Sequence, residues 1–241
     1  MRKPLALTCF FCFIWNSLAA GGSISPSIPS SLGAGGSIVG TVSFLETPPE
    51  PERLKVDRNN DVCGLRKFSQ EFIVSDETKG LKNVVLTVEG APASKSPPEG
   101  DPTITQKGCE YSPHVLTAVV GQNLEIRNSD PILHNIHAYD DEEATLFNLG
   151  QPIQDQVNSV KLETEGVMTV QCDVHAWMQA YVVVAPHPYI AVTDEDGSFR
   201  IDGVPAGTYK LRAWHEGLGT MDKDVTVTAG QETNVKFEVG K

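Results

Sequence analysis

Apolar and polar residues alternate in short runs along most of this chain, and no long segment repeats every three or four residues. Alternation puts every second side chain on one face, so residues 37–44, 81–88, 115–120 and 124–127 read as strands, with 68–74 as a further candidate. Residues 167–171 and 181–184 read as a strand and its return, joined by a loop. Residues 142–160 are polar and irregular and predict a loop or a short helix. Prolines punctuate the pattern because they cannot donate to a ladder. Pro48, Pro49 and Pro51 mark an extended or turn segment, and residues 91–102 hold four more in an exposed loop. Many short strands separated by turn signals predict an all-β chain built from sandwiches or barrels.

Pro186 and Pro188 interrupt the alternation and mark a boundary. Beyond them Asp196-Gly197, Asp202-Gly203 and Ala206-Gly207 turns separate further short strands, ending with 225–228 and 235–239. Residues 187–241 are therefore expected to fold as a small separate β-sandwich. Residues 38–186 are expected to form the first sandwich, with the early strands as its N-terminal extension; a separate small domain for those strands is the alternative.

The chain starts with Arg2 and Lys3, an apolar run over 5–18 and small residues at 17–21. This reads as a secretory signal peptide over 1–20, too short for a membrane span, followed by a Gly/Ser/Pro leader over 21–37. The expected location is the periplasm or cell surface. The formal net charge is −12, and loss of Arg2 and Lys3 with the signal makes it two units more acidic. Such a charge argues against nucleic acid and anionic membranes and allows a basic protein partner steered by the field. No transmembrane segment is expected.

Five cysteines fall to three when Cys9 and Cys12 are removed with the signal. In an oxidising compartment Cys63 and Cys109 can pair, leaving Cys172 as the single thiol. A free or damaged cysteine is the bland reading of that remainder. Its neighbours favour another, because Cys172, His175 and Met178 follow one another as C-x2-H-x2-M in the loop between two strands. A soft thiolate, a borderline imidazole and a weak thioether suit copper, and blue copper sites use two His and one Cys with a long axial Met. A structural zinc site usually wants more Cys or His at close spacing. The second imidazole must come from elsewhere, and His134, in Asn128-Ser-Asp-Pro-Ile-Leu-His134-Asn-Ile-His137, is the candidate. His134 and His137 point to opposite faces of a regular strand, so His137 is expected beside the site. His114 is expected to be structural.

The pair Pro-x-x-His-Asn-x-His and Cys-x-x-His-x-x-Met resembles the cupredoxins, and most the plastocyanin and amicyanin branch, over residues 112–185. The resemblance implies a Greek-key β-sandwich that binds one type-1 copper through His134, Cys172, His175 and Met178. It implies single-electron transfer between transient protein redox partners, with one His ring, usually that of the ligand loop, reaching the surface as the electron port. Asp173 stands where that family usually has a hydroxyl or small residue. Residues 188–241 are similar to carboxypeptidase regulatory-like domains, small transthyretin-like sandwiches. That implies architecture and not peptidase activity, since no H-E-x-x-H motif occurs. The further His clusters of copper enzymes and the second Cys of a binuclear copper loop are also lacking, so no enzyme activity is expected. The competing expectations are a non-redox copper carrier or storage protein and a surface scaffold.

Overall fold

The computed structural model describes residues 35–94 and 96–240; the expected signal peptide and most of the leader lie outside the described residues. Strand β1 (Gly36–Phe44) comes first, then a strap made of β2 (Arg53–Leu54), one helical turn α1 (Asn60–Cys63) and β3 (Lys67–Phe68). Strand β4 (Val85–Glu89) follows. The next nine strands are β5 (Thr103–Gln106), β6 (Tyr111–Ser112), β7 (Val115–Val119), β8 (Asn123–Asn128), β9 (His134–Tyr139), β10 (Thr145–Gln151), β11 (Val157–Lys161), β12 (Gly166–Gln171) and β13 (Gln179–Ala185). The chain closes with β14 (Ile190–Val192), β15 (Ser198–Val204), β16 (Gly207–His215), β17 (Gly219–Val227) and β18 (Glu232–Val239). Among the described residues no helix is long and apolar enough to cross a membrane.

These strands form two sandwiches, and they are nested rather than consecutive. The inner one stacks the sheet β10-β9-β12-β13-β7 on the sheet β11-β8-β5-β6. Its core takes Ile104, Leu124 and Ile126 from one sheet and Ile136, Ala138, Val170, Ala180 and Val182 from the other. The outer sandwich stacks β15-β1-β18 on β14-β4-β16-β17. Ile38, Val42 and Phe44 of β1 meet Leu86 and Val88 of β4, with Leu211, Phe199 and Phe237 from the C-terminal strands. Strand β1 sits in the middle of its sheet, antiparallel to β15 and parallel to β18. Gly40 permits that close packing, since a Cβ there would lie 1.9 Å from the Val235 carbonyl oxygen.

The expected division at 186/187 is therefore corrected. Strands β1 and β4 belong to the C-terminal sandwich, and β5–β13 are inserted between β4 and β14. The alternating pattern of β1 fixed its apolar face but carried no information on which strand lies beside it, because pairing across nearly 200 residues leaves no local mark. The ends of the insertion lie together: Ser94 N–H donates to the Pro186 carbonyl (2.9 Å), and Val88 N–H to that of Tyr189 (3.1 Å). Val85, Val115 and Val183 form a third apolar cluster with Tyr181, Ile190 and Trp214, drawn from both sandwiches. His114 and Glu216 bridge the same junction at 2.5 Å, both largely buried.

Two local expectations are also corrected. Residues 142–160 contain strands β10 and β11, each at a sheet edge, where the half-exposed ladder tolerates the polar residues that disguised them. Residues 68–74 contribute only the end of β3 and a single bridge from Val74 to Leu81.

The nesting makes opposite predictions for two deletions. Removing 188–241 strips β1 of both neighbours and should abolish the cooperative melt of the outer sandwich, followed by circular dichroism. Replacing 90–187 with Asn-Gly should instead join β4 to β14 as a two-residue hairpin and keep a cooperative melt. A truncated chain lacking 188–241 that retains slow amide exchange over 37–44 would contradict this topology.

Candidate metal centre

The site forms where β9 begins and β12 ends. These strands pair with His137 opposite Gln171, which brings His134 at the head of β9 to the loop after β12. In that loop Met178 N–H donates to the His175 carbonyl (2.9 Å), a tight turn that places Cys172, His175 and Met178 at one end of the sandwich. His134 Nδ1 and His175 Nδ1 lie 3.0 Å apart, and Cys172 Sγ is 3.8 Å from His175 Nδ1. Donor atoms of His134, Cys172 and His175 all fall within 4.8 Å of one another, and all three residues are buried. Met178 is 1% exposed in the same core.

The outer ring nitrogens are both engaged. His134 Nε2 donates to Asp130 Oδ2 (2.9 Å), and Asp130 also accepts Gly108 N–H and Cys109 N–H. His175 Nε2 donates to Asn59 Oδ1 (3.0 Å). With Nε2 protonated on both rings, both Nδ1 atoms present lone pairs. Two lone pairs facing each other at 3.0 Å, away from water, repel unless a cation or proton lies between them. This donor geometry fits a metal ion, and carboxylate or amide partners on the outer nitrogen are what metal-binding imidazoles use to fix their tautomer.

The thiol is held as tightly. Cys172 S–H donates to Asn135 Oδ1 (3.2 Å), and Asn135 N–H approaches the sulfur at 3.5 Å. Asp173 N–H donates to the same Oδ1, and the Asn135 amide donates to Asp173 Oδ2 and Asn148 Oδ1 (each 2.9 Å). Asp173 thus orients Asn135 rather than bonding the sulfur. Burial pushes the Asp173 carboxyl up, but hydrogen bonds from Asn148, His137 and Asn135 leave it below the ordinary carboxylate value. Buried Tyr111 donates to the carbonyls of Asn135 and Gln171, tying the two ligand segments together. Burial, the neighbouring His134 and the charge on Arg58 push His175 down to about 4, against the pull of Asp130 and Asp57. Burial also lowers His134, opposed by its bond to Asp130.

The remaining histidines lie outside this cluster. His137 sits on the other face of β9, bonded to Asp173 and Thr145 and stacked on Tyr139. His114 bridges to Glu216 at the junction, and buried His215 packs on Phe72.

The strap alters one expectation outright. His175 is 0% exposed and is no surface port. Residues 52–69 cross the site, with Val56 and Val62 packed on the inner core and Asn59 over the imidazole. Asn59 takes a left-handed conformation (φ 50°) that turns its side chain away from capping α1 and toward His175. A Cys63–Cys109 disulfide fixes the strap to the β5–β6 turn, leaving Cys172 as the free thiol among the described residues. Trp177 packs on His175 and donates to the Cys109 carbonyl. The cysteine count announced the pairing, but no local pattern announced that Asn59 reaches His175.

Residues 176–240 match the carboxypeptidase regulatory-like domain. The structure completes that sandwich with β1 and β4, which lie outside the matched residues. No curated protein matches the chain. Similar solved structures include a purple cupredoxin from Nitrosopumilus maritimus, with 27% identity over 35% of this chain and 100% of that one, at a TM-score of 0.32. A mutant amicyanin in its reduced Cu(I) form at pH 4 has 23% identity over 42% and 98%, at 0.33. A copper-containing nitrite reductase from Thermus scotoductus SA-01 has 18% identity over 39% and 25%, at 0.31.

Two measurements check this geometry in the metal-free protein. Peptide mapping without reductant should recover Cys63 linked to Cys109 and alkylation at Cys172; label on Cys63 or Cys109 would contradict the strap attachment. Because the folded pKa of His175 lies near 4 against an ordinary 6.5, its contribution to stability is complete above pH 6.5 and is lost as pH falls through about 4. The melting temperature should decline over that window, and His175→Gln should flatten the decline.

Proposed function

We propose that this chain is an exported blue copper protein that passes single electrons between redox partners. The observation that carries the reading is the pair of imidazole Nδ1 atoms 3.0 Å apart beside a buried thiol, each imidazole fixed from behind. His134, Cys172 and His175 would hold the ion through two nitrogens and one thiolate, with Met178 as the candidate for a further, weaker thioether ligand. Copper bound there would supply a one-electron couple. The protein's part is to hold the donors still. His134 is locked by Asp130, His175 by Asn59, and the Cys172 sulfur by the two groups of Asn135, so ligand positions change little between oxidation states. A buried site held by a sandwich and a strap excludes water from the open coordination positions.

One observation favours a second reading. The covered His175 would suit a copper carrier or storage protein, in which the strap retains the ion rather than transmits electrons. Reversible reduction at a defined potential separates electron transfer from storage. No catalytic step is proposed. The partners are transient redox proteins and neither nucleic acid nor membrane, the latter in keeping with the formal charge of −12.

Copper-loaded protein should have an intense visible band from thiolate charge transfer, which Cys172→Ser abolishes. His134→Ala should open the plane to water and weaken copper binding. Met178→Leu should keep the band and raise the reduction potential, since a thioether donor to Cu(II) is lost. Optical and electron paramagnetic resonance spectra check all three; an ordinary nitrogen and oxygen copper signal that survives Cys172→Ser would refute the assignment.

A further inference from the structure

The covered ligand leaves open where electrons enter and leave, and the strap itself carries the answer. We propose that the outer surface of the strap, residues 53–68, is the docking surface of the metal centre and receives an acidic redox protein. The proposal rests on the electron-transfer reading above and names the partner's chemistry and its place of contact.

The connection to solvent is short. His175 Nε2–H donates to Asn59 Oδ1, and Asn59 is exposed, so a single hydrogen bond and one side chain separate a candidate ligand from the surface. Leu65 is 68% exposed and Phe68 49% exposed on the same strap, two large apolar side chains open to solvent beside the covered site. The charge of the strap runs against that of the protein. Between Glu52 and Phe68 stand Arg53, Lys55, Arg58, Arg66 and Lys67 against Glu52, Asp57 and Asp61, in a chain whose formal net charge is −12. Arg53 and Arg66 are exposed, and neither joins an ion pair among the described residues. An acidic run, Asp140 to Glu143, follows the far end of β9 from His134, about 20 Å away at strand spacing. The Debye length at physiological salt is about 8 Å, so a partner close to the strap feels the strap's own charges more than the distant acids. Lys67 is paired with Glu110, and Lys55 and Arg58 with Asp57, which leaves Arg53 and Arg66 as its unpaired cations. An apolar contact ringed by unpaired arginines fits a partner with an acidic rim around its own redox centre.

The test uses small charged oxidants on the copper-loaded, reduced full chain. Hexacyanoferrate(III) takes one electron from the Cu(I) protein and leaves hexacyanoferrate(II) and the Cu(II) protein. Tris(1,10-phenanthroline)cobalt(III), a cation, makes the same exchange and leaves the cobalt(II) complex. Stopped-flow rates are read at rising ionic strength for the native chain and for the Arg53→Glu, Arg66→Glu double variant. The expected result is a hexacyanoferrate rate that falls as salt is added and is several-fold slower in the variant, while the visible copper band is unchanged. The overall charge predicts the opposite slope, a rate that climbs with salt. A climbing rate that ignores the double variant overturns the proposal, as does a preference for the cobalt cation, which would place the exit at exposed Asp173 beside Cys172. A missing thiolate band would overturn the electron-transfer reading itself and this inference with it.

Discussion

Two imidazole nitrogens held 3.0 Å apart in a buried pocket are the contact to which the rest of the inner sandwich is fitted. Left alone, those lone pairs would drive the rings apart or draw in water. They stay together because each ring is hydrogen bonded from behind and each backing group is itself committed. Asp130 is fixed by two backbone N–H groups of the disulfide turn, and Asn59 is fixed by the strap that the disulfide anchors. The free energy for this arrangement comes from the surrounding packing and hydrogen bonding, including Tyr111 clamping the two ligand segments through their carbonyls. The pocket thus presents donors in a geometry that fits a cation, with both histidines biased toward their neutral form.

The thiol is tuned by a different set of groups. Asn135 touches the sulfur, and Asp173 touches Asn135, so the carboxylate acts on Cys172 through an amide rather than directly. The residue that departs from the resembled pattern therefore does not take over the sulfur's hydrogen bond. It stiffens the group that provides it. His137, on the opposite face of β9 from His134, closes this network at its outer edge.

The site was legible in the sequence where chemistry is local and illegible where it is long-range. Cys172, His175 and Met178 share one loop, and their spacing marked them as candidate donors; the structure brings Cys172 and His175 together with His134. His134 could be matched to them because its strand has a recognisable head. The odd cysteine count named the disulfide. The ownership of β1 and β4 was hidden, because alternation assigns a strand its apolar face and not its neighbours. Strands β10 and β11 were hidden by their edge positions, where half the ladder faces water. Asn59 was hidden altogether: an asparagine in a polar segment reads as a turn residue, and only the fold reveals that its left-handed backbone aims the amide at His175, more than a hundred residues away.

The nesting of the two sandwiches explains why the cover exists. The strap lies in the connection between β1 and β4, two strands of the outer sandwich, yet it packs on the inner one. A connection with both ends held by a folded host is already partly ordered, so laying it across the metal site costs less chain entropy than ordering a free tail of the same length. The disulfide then joins the host's connection to the insert's β5–β6 turn, and the His114–Glu216 bridge and the apolar junction hold the two bodies at a fixed separation. An inner sandwich cut from its host would keep His134, Cys172, His175 and Met178 but lose Asn59, Cys63 and the cationic face above His175. The outer sandwich is therefore part of the candidate site's construction: it supplies the group that fixes His175 and the strap that covers it.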